Sequence, residues 1–199
     1  MDALHANLIP ALWLLWLVYW FIAGRNVKAT RRHESLASRA GHIVPVIVGA
    51  MFLWLPRFPG DFLHGRILSE LNANLNLVGA GIVAAGLAFS AWARVHLGRN
   101  WSGTVTLKQD HELVRDGPYR YVRHPIYTGL LLAFIGCAVA RNEWRGVLAI
   151  AIIYAGFWRK LKLEERWMTE QFGDEYRRYI AEVPALVPNP FRTVRTVAP

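Results

Sequence analysis

Five apolar runs, separated by short segments of uneven charge, leave this chain few ways to fold. They cover residues 8–23, 43–55, 75–93, 126–140 and 146–158. Hydrophobic residues make up 54% of the sequence, which leaves too few polar side chains to solvate five such helices in water. The pattern predicts an all-α, polytopic membrane protein with about five transmembrane helices. Several runs are shorter than the roughly 20 residues of a full span, and flanking aromatic and basic side chains extend their reach at the interface. The second run is short and bracketed by Pro45 and Pro56. Trp13, Trp16 and Trp20 fall on one helical face of the first. Gly79, Ala80, Ala84 and Gly86 predict close helix contact along the third. Only RNEWR, residues 141–145, separates the last two, which predicts a tight helical hairpin.

Charge sets the expected orientation. Residues 24–42 carry Arg25, Lys28, Arg31, Arg32 and Arg39 against Glu34 alone, and residues 94–123 are again basic. Residues 57–74 are balanced, with Arg57 and Arg66 against Asp61 and Glu70. The positive-inside rule then places the two basic segments and the tail from Arg159 in the cytoplasm and the N-terminus outside. A formal charge of +9 also suits nucleic acid, but a chain built largely of Leu, Ala, Val and Gly runs fits a membrane partner and no nucleic acid. The N-terminus lacks the basic start and cleavage site of a signal peptide, so its apolar run is expected to be retained. Cys137 is the one cysteine and reads as a buried small hydrophobe. His5, His33, His42, His64 and His96 are scattered without ligand spacing, and no metal site is expected. One domain is expected over 1–199, with N-terminal membrane helices over 1–93 and a functional core over 94–190.

The topology brings two polar stretches to one side. One is HELVRDGPYRYVRHPIYTG, residues 111–129; the other is KLKLEERWMTEQFGDEYRRYIAEVP, residues 160–184. Asp116-Gly117-Pro118 is a turn signal, and His124-Pro125 marks a helix start. The amides of Ile126, Tyr127 and Thr128 would be unpaired donors at a positive helix end, with Arg120 and Arg123 nearby, an arrangement suited to a carboxylate or phosphate. An ordinary interfacial anchor has the same composition. In the second stretch Lys160 and Glu164 share a helical face, Phe172-Gly173 reads as a helix end, and Asp174 as the cap of a further helix carrying Tyr176 and Tyr179. Charges this close to a membrane helix are costly unless paired or functional.

Taken in order, the His111-Glu112-Leu113-Val114 segment, Gly117-Pro118-Tyr119, Arg123-His124-Pro125-Ile126-Tyr127-Thr128-Gly129, the Glu164-Glu165 pair, Phe172-Gly173 with Tyr176 and Tyr179, and Val183-Pro184 resemble the isoprenylcysteine carboxyl methyltransferase family. The resemblance covers 111–184. It implies an integral-membrane enzyme with S-adenosylmethionine as cofactor, held in a cytoplasmic-face pocket formed by the 94–123 loop and the C-terminal helices. The cofactor contacts it implies fall on His111, Glu112, Leu113, Val114, Tyr119, His124, Pro125, Ile126, Tyr127 and Glu164. The catalytic set it implies is Glu164, Lys160, Arg159 and Tyr127. Eukaryotic members carry an Arg where this chain has Lys160, which lacks the planar fork for bidentate carboxylate binding, so Arg159 is the alternative at that position.

The implied activity is methyl transfer to a lipophilic acceptor partitioned in the membrane, resembling the carboxylate of a protein C-terminal S-isoprenylcysteine. The compact sequence points to a bacterial inner membrane. Other readings are a phospholipid N-methyltransferase, a membrane-bound reductase using NADPH, and a membrane module without catalytic activity. No Gly-rich dinucleotide fingerprint supports the reductase.

Overall fold

The computed structural model describes residues 3–25, 27–60, 63–68, 74–108 and 112–189. Six α-helices dominate: α1 Ala3–Ala23, α2 Leu36–Trp54, α3 Leu75–Leu97, α4 Pro125–Arg141, α5 Trp144–Phe172 and α6 Asp174–Glu182. A short antiparallel ribbon joins β1 (Thr30–His33) to β2 (Thr106–Lys108), with His33 opposite Thr106. The all-helical expectation thus holds for the body of the molecule and is corrected by this ribbon.

Small residues set the helix pairing. Gly79 and Gly86 of α3 face Gly136 and Gly129 of α4, and a Cβ at Gly86 would lie 2.5 Å from the Gly129 carbonyl oxygen. These two helices therefore run antiparallel at backbone contact, with Val83 and Ala133 fully buried between them. Helix α2 lies antiparallel to α5 by the same means, with Gly49 against Ile153 and Gly156 against the His42 carbonyl. Pro45 does not end α2. It sits inside the helix, which begins earlier at Ser35, whose side chain accepts from the Ser38 amide at 3.2 Å. Pro45 has no amide to offer the Gly41 carbonyl one turn earlier.

At the hairpin between α4 and α5, Asn142 adopts left-handed backbone (φ 55°), and its side chain bonds both the amide and the carbonyl of Leu68, at 3.0 and 2.6 Å. Arg141 donates to the Leu53 carbonyl, and Arg145, 1% exposed, to that of Leu55 at 2.7 Å. The two guanidiniums neutralise the carbonyl end of α2.

At the opposite end lie the C-termini of α1 and α3, the starts of α2 and α4, the distal half of α5, and the ribbon. Arg94, buried at the end of α3, donates to the Ala23 carbonyl at the end of α1 and to Gly98 at 2.7 Å. Among the described residues, two helices are long and apolar enough to cross a membrane, Leu36–Trp54 and Leu75–Asn100, the latter including the turn that follows α3. The segments Asn7–Ala23 and Pro125–Arg141 are apolar but shorter. Large apolar side chains face outward: Leu14, Leu15 and Phe21 of α1 are 63–68% exposed, and Val44, Ile47, Val78 and Val147 about half.

The α3–α4 contact generates a prediction. Gly86→Val should place methyl groups on the Gly129 backbone and cost about 2–3 kcal/mol. Thermal unfolding in detergent micelles should show a lower Tm, whereas Gly81→Val, on an open face, should leave Tm nearly unchanged.

Candidate active site

A cavity of about 240 Å³ opens at the end where the polar stretches meet. Its walls come from distant parts of the chain. Trp16 and Trp20 of α1 form one side, and the loop from Trp101 to Val105 another. Glu112, Leu113, Val114 and Tyr119 come from the connection after β2, and His124 to Tyr127 from the start of α4. Phe157, Lys160, Glu164 and Trp167 of α5 and Tyr176 and Tyr179 of α6 complete it. A wider hollow of about 1360 Å³ adjoins it and shares Leu97, Asn100, Glu112, Leu113, Val114 and Tyr179 as walls.

Helix α5 continues well past its apolar part, and its extension carries both glutamates toward the start of α4. Glu165 is buried and accepts from Arg123 through Nε at 3.0 Å and through a second guanidinium nitrogen, with His124 Nε2 at 3.3 Å. Glu164 takes the Tyr127 hydroxyl at 2.5 Å and faces His124 Nδ1 at 3.5 Å. One imidazole thus lies between two carboxylates. Burial alone would lower the His124 pKa, but its bonds to Glu164 and Glu165 outweigh that and raise it, favouring imidazolium. Burial would raise the Glu165 carboxyl; the bonds from His124 and Arg123 bring it down to about 2. Glu164 is likewise lowered, against its burial, by the bond with His124 and the charge of Lys160.

At the start of α4 the Thr128 amide, one of the three donors singled out in the sequence, is taken by the His124 carbonyl at 3.0 Å. The amides of Arg123 and His124 are taken by the carbonyls of Pro184 and Ala185, at 2.9 and 3.0 Å, and Thr128 Oγ1 by Leu186 at 2.7 Å. The chain's own carboxylates and carbonyls surround this positive end. Arg123 also donates to the Ile180 and Val183 carbonyls, which fastens the segment after α6 across α4. Arg120 is exposed.

A profile of the phospholipid methyltransferase family matches residues 75–175, over half of the chain and nearly all of the cavity wall. The chain belongs to that family. Among similar members, the Schizosaccharomyces pombe protein-S-isoprenylcysteine O-methyltransferase is 32% identical over 135 residues, 66% of this chain and 55% of that protein. The human protein-S-isoprenylcysteine O-methyltransferase is 30% identical over 173 residues, 85% of this chain and 59% of that one. The chain spans between half and two thirds of the length of these curated relatives. The fold matches that of the eukaryotic intramembrane Ras methyltransferase, isoprenylcysteine carboxyl methyltransferase, with a TM-score of 0.51 at 24% identity, covering 78% of this chain and 51% of that structure.

Within this family member, the structure gathers most of the residues singled out in the sequence. Glu112, Leu113, Val114, Tyr119, His124, Pro125, Ile126, Tyr127, Lys160 and Glu164 all line the cavity. His111 lies outside the described residues. Arg159 is exposed, lies against Gly41 of α2 and is not part of the wall, so of the two basic candidates only Lys160 reaches the cavity. Its ammonium sits 5.3 Å from the Tyr127 ring centre and donates to the Gly103 carbonyl at 3.0 Å. Sequence reasoning missed the indole wall and the structural half of the glutamate pair. The shared face of Trp16 and Trp20 was a usable signal for the former; nothing in the order Glu164-Glu165 indicates which carboxylate is buried.

The two glutamates should separate experimentally. Glu165→Gln removes the partner of a buried guanidinium and should cost about 3 kcal/mol of stability. Glu164→Gln should leave Tm closer to the parent value and weaken ligand binding in the cavity more. The stability that Glu165 contributes is present above the usual carboxylate pKa and is lost as pH falls toward about 2. Thermal unfolding from pH 7 down to pH 3 should show this loss in the parent protein and a flatter profile in Glu165→Gln.

Proposed function

We propose that this chain is an integral-membrane methyltransferase that uses S-adenosylmethionine and a lipophilic, membrane-partitioned acceptor of the protein C-terminal S-isoprenylcysteine carboxylate type. The observation that carries this reading is the meeting of Glu164, His124, Tyr127 and Lys160 with an indole wall at the end of an apolar helix bundle. In this reading α1 to α5 cross the membrane of a bacterial cell, with the cavity and C-terminus cytoplasmic and the N-terminus outside. The outward-facing apolar side chains of α1, α2, α3 and α5 support it, because a patch of that extent is rare on a water-soluble monomer.

The residues present suit the cofactor. The Glu164 carboxylate, 24% exposed and within the cavity wall, matches an ammonium or ribose hydroxyls. Asn100 Oδ1, buried without a hydrogen-bond partner, offers an acceptor in a residue shared by both hollows. Tyr119, Trp101 and Tyr179 supply flat surfaces for a purine. When bound, S-adenosylmethionine supplies an electrophilic methyl group on a sulfonium.

The chain supplies position, dryness and charge. Tyr127 and His124 hold Glu164 in one orientation, so its negative charge is fixed before any ligand arrives. Lys160 puts a cation in the same wall, where it attracts an anionic acceptor. Trp16, Trp20, Leu130 and Phe157 form the apolar side on which a lipid tail would rest. An acceptor carboxylate needs no base. A phospholipid amine is the second reading, favoured by the family profile, and it would require one. Glu164 with Tyr127 is the pair placed to take that proton.

The test uses S-adenosylmethionine labelled in its methyl group and membranes containing the protein. The reading predicts label in a lipid-soluble product that alkali releases as methanol, since a methyl ester hydrolyses and an N-methyl amine does not. Lys160→Met should cut ester formation at least about tenfold while leaving S-adenosylhomocysteine affinity within about twofold. Alkali-stable label would select the amine reading. Titration showing NADPH bound and S-adenosylhomocysteine ignored would overturn both.

A further inference from the structure

The cavity wall contains one stretch with no regular structure of its own. From Trp101 to Val105 the backbone is neither helix nor strand, yet all five residues face the cavity. What fixes this loop lies behind it. The Val105 amide donates to Glu34 Oε1 at 3.1 Å, and the Glu34 amide donates to the Val105 carbonyl at 3.2 Å. The Glu34 carboxylate in turn takes His42 Nε2, 3.0 Å from both oxygens. Both side chains are buried, at 1% and 4% exposure, and neither lines the cavity. His42 belongs to α2, where its carbonyl abuts Gly156 of α5. The loop is thereby tied to the α2–α5 pair.

The same loop holds the site from the front. Gly103 accepts from Lys160, and Val105 packs with Leu163 and Trp167 of α5. The neighbouring strand β1 is pinned to that helix as well. Arg32 lies 4.2 Å over the Trp167 ring and pairs with Glu170 at 2.8 Å. A buried carboxylate–imidazole pair is costly to assemble and contributes little net stability compared with apolar packing. At this place it specifies one position for a loop that the ribbon reaches only at its last residue, Val105.

We propose that Glu34 and His42 are positioning residues for the cofactor site: they set the Trp101–Val105 wall, and through Gly103 the Lys160 ammonium, without touching any ligand. This rests on the reading that the cavity takes S-adenosylmethionine. Shifting a packed wall changes the fit of whatever lies against it, so the pair should be visible in affinity at temperatures far below Tm.

The experiment is calorimetric titration of the full chain in micelles with S-adenosylhomocysteine at 15 °C, alongside Tm and hydrogen exchange of the segment 101–105. Glu34→Ala and His42→Leu should weaken binding about tenfold and speed exchange in that segment. His42→Gln retains a donor at the Nε2 position and should keep affinity within about threefold of the parent. Gly79→Ala, whose Cβ would press on Gly136 and Ala140 at the end of the α3–α4 contact away from the cavity, serves as a stability control and should lower Tm without changing affinity. Parent-like affinity in folded Glu34→Ala and His42→Leu would overturn the positioning role. So would equal weakening in Gly79→Ala, which would reduce the effect to general loss of stability. Should the Glu34 variant not fold, the contrast between Leu and Gln at position 42 decides. Absence of binding to the parent protein would instead defeat the cofactor reading itself.

Discussion

A single imidazole shared by two carboxylates organises this molecule. His124 precedes α4, Glu164 and Glu165 lie on the extension of α5, and Arg123 joins the second carboxylate to the Ile180 and Val183 carbonyls at the end of α6. Each partner is buried at least in part, so none of the charges is stable alone. Imidazolium requires the carboxylates, the carboxylates require imidazolium and guanidinium, and the segment 183–186 is held over the helix start by the Arg123 guanidinium, the Arg123 and His124 amides and the Thr128 hydroxyl. Consecutive glutamates acquire different tasks from this geometry. Glu165 turns inward and holds the scaffold. Glu164 turns to the cavity and keeps its charge available.

The bundle that delivers these groups depends on close approach. Glycines seven residues apart on α3 meet glycines seven apart on α4, and α2 meets α5 over Gly49 and Gly156. Without an apolar driving force between helices in lipid, association relies on such contact and on buried polar bonds. Arg94, Arg141 and Arg145 serve that purpose at opposite ends, each donating to carbonyls left open where a helix stops. The strong positive charge of the chain is therefore partly spent on helix ends, besides whatever it contributes to orientation.

Much of this was legible in the sequence. Apolar run length located α1, α3, α4 and the apolar part of α5, and the RNEWR hairpin followed from its brevity. Gly79 and Gly86 announced a close contact correctly, because a missing side chain matters only where something approaches. The apolar run from Ile43 understated α2, which begins at the Ser35 cap and carries Pro45 in its interior. Asp174 was read as a helix cap, but Gly173, at φ 54°, takes that place. The ribbon between β1 and β2 escaped, because four residues without alternation carry no period. Among the candidate site residues, those on the ordered pattern that the structure describes line one cavity. Arg159 could not be separated from Lys160 by charge, only by the 100° that divides neighbours on a helix. Glu34 and His42 lie far from the pattern and read as ordinary loop and helix residues until their carboxylate and ring are seen together.

The central claim is that residues 112–127 and the extension of α5 enclose one nucleoside cofactor. A structure of the protein bound to S-adenosylhomocysteine tests it most directly. The ligand should lie in the cavity between Tyr119, Tyr127 and Glu164, with Glu165 still bonded to Arg123. A ligand bound elsewhere, or a cavity filled by Lys160 and Trp101 while the ligand sits outside, would contradict it.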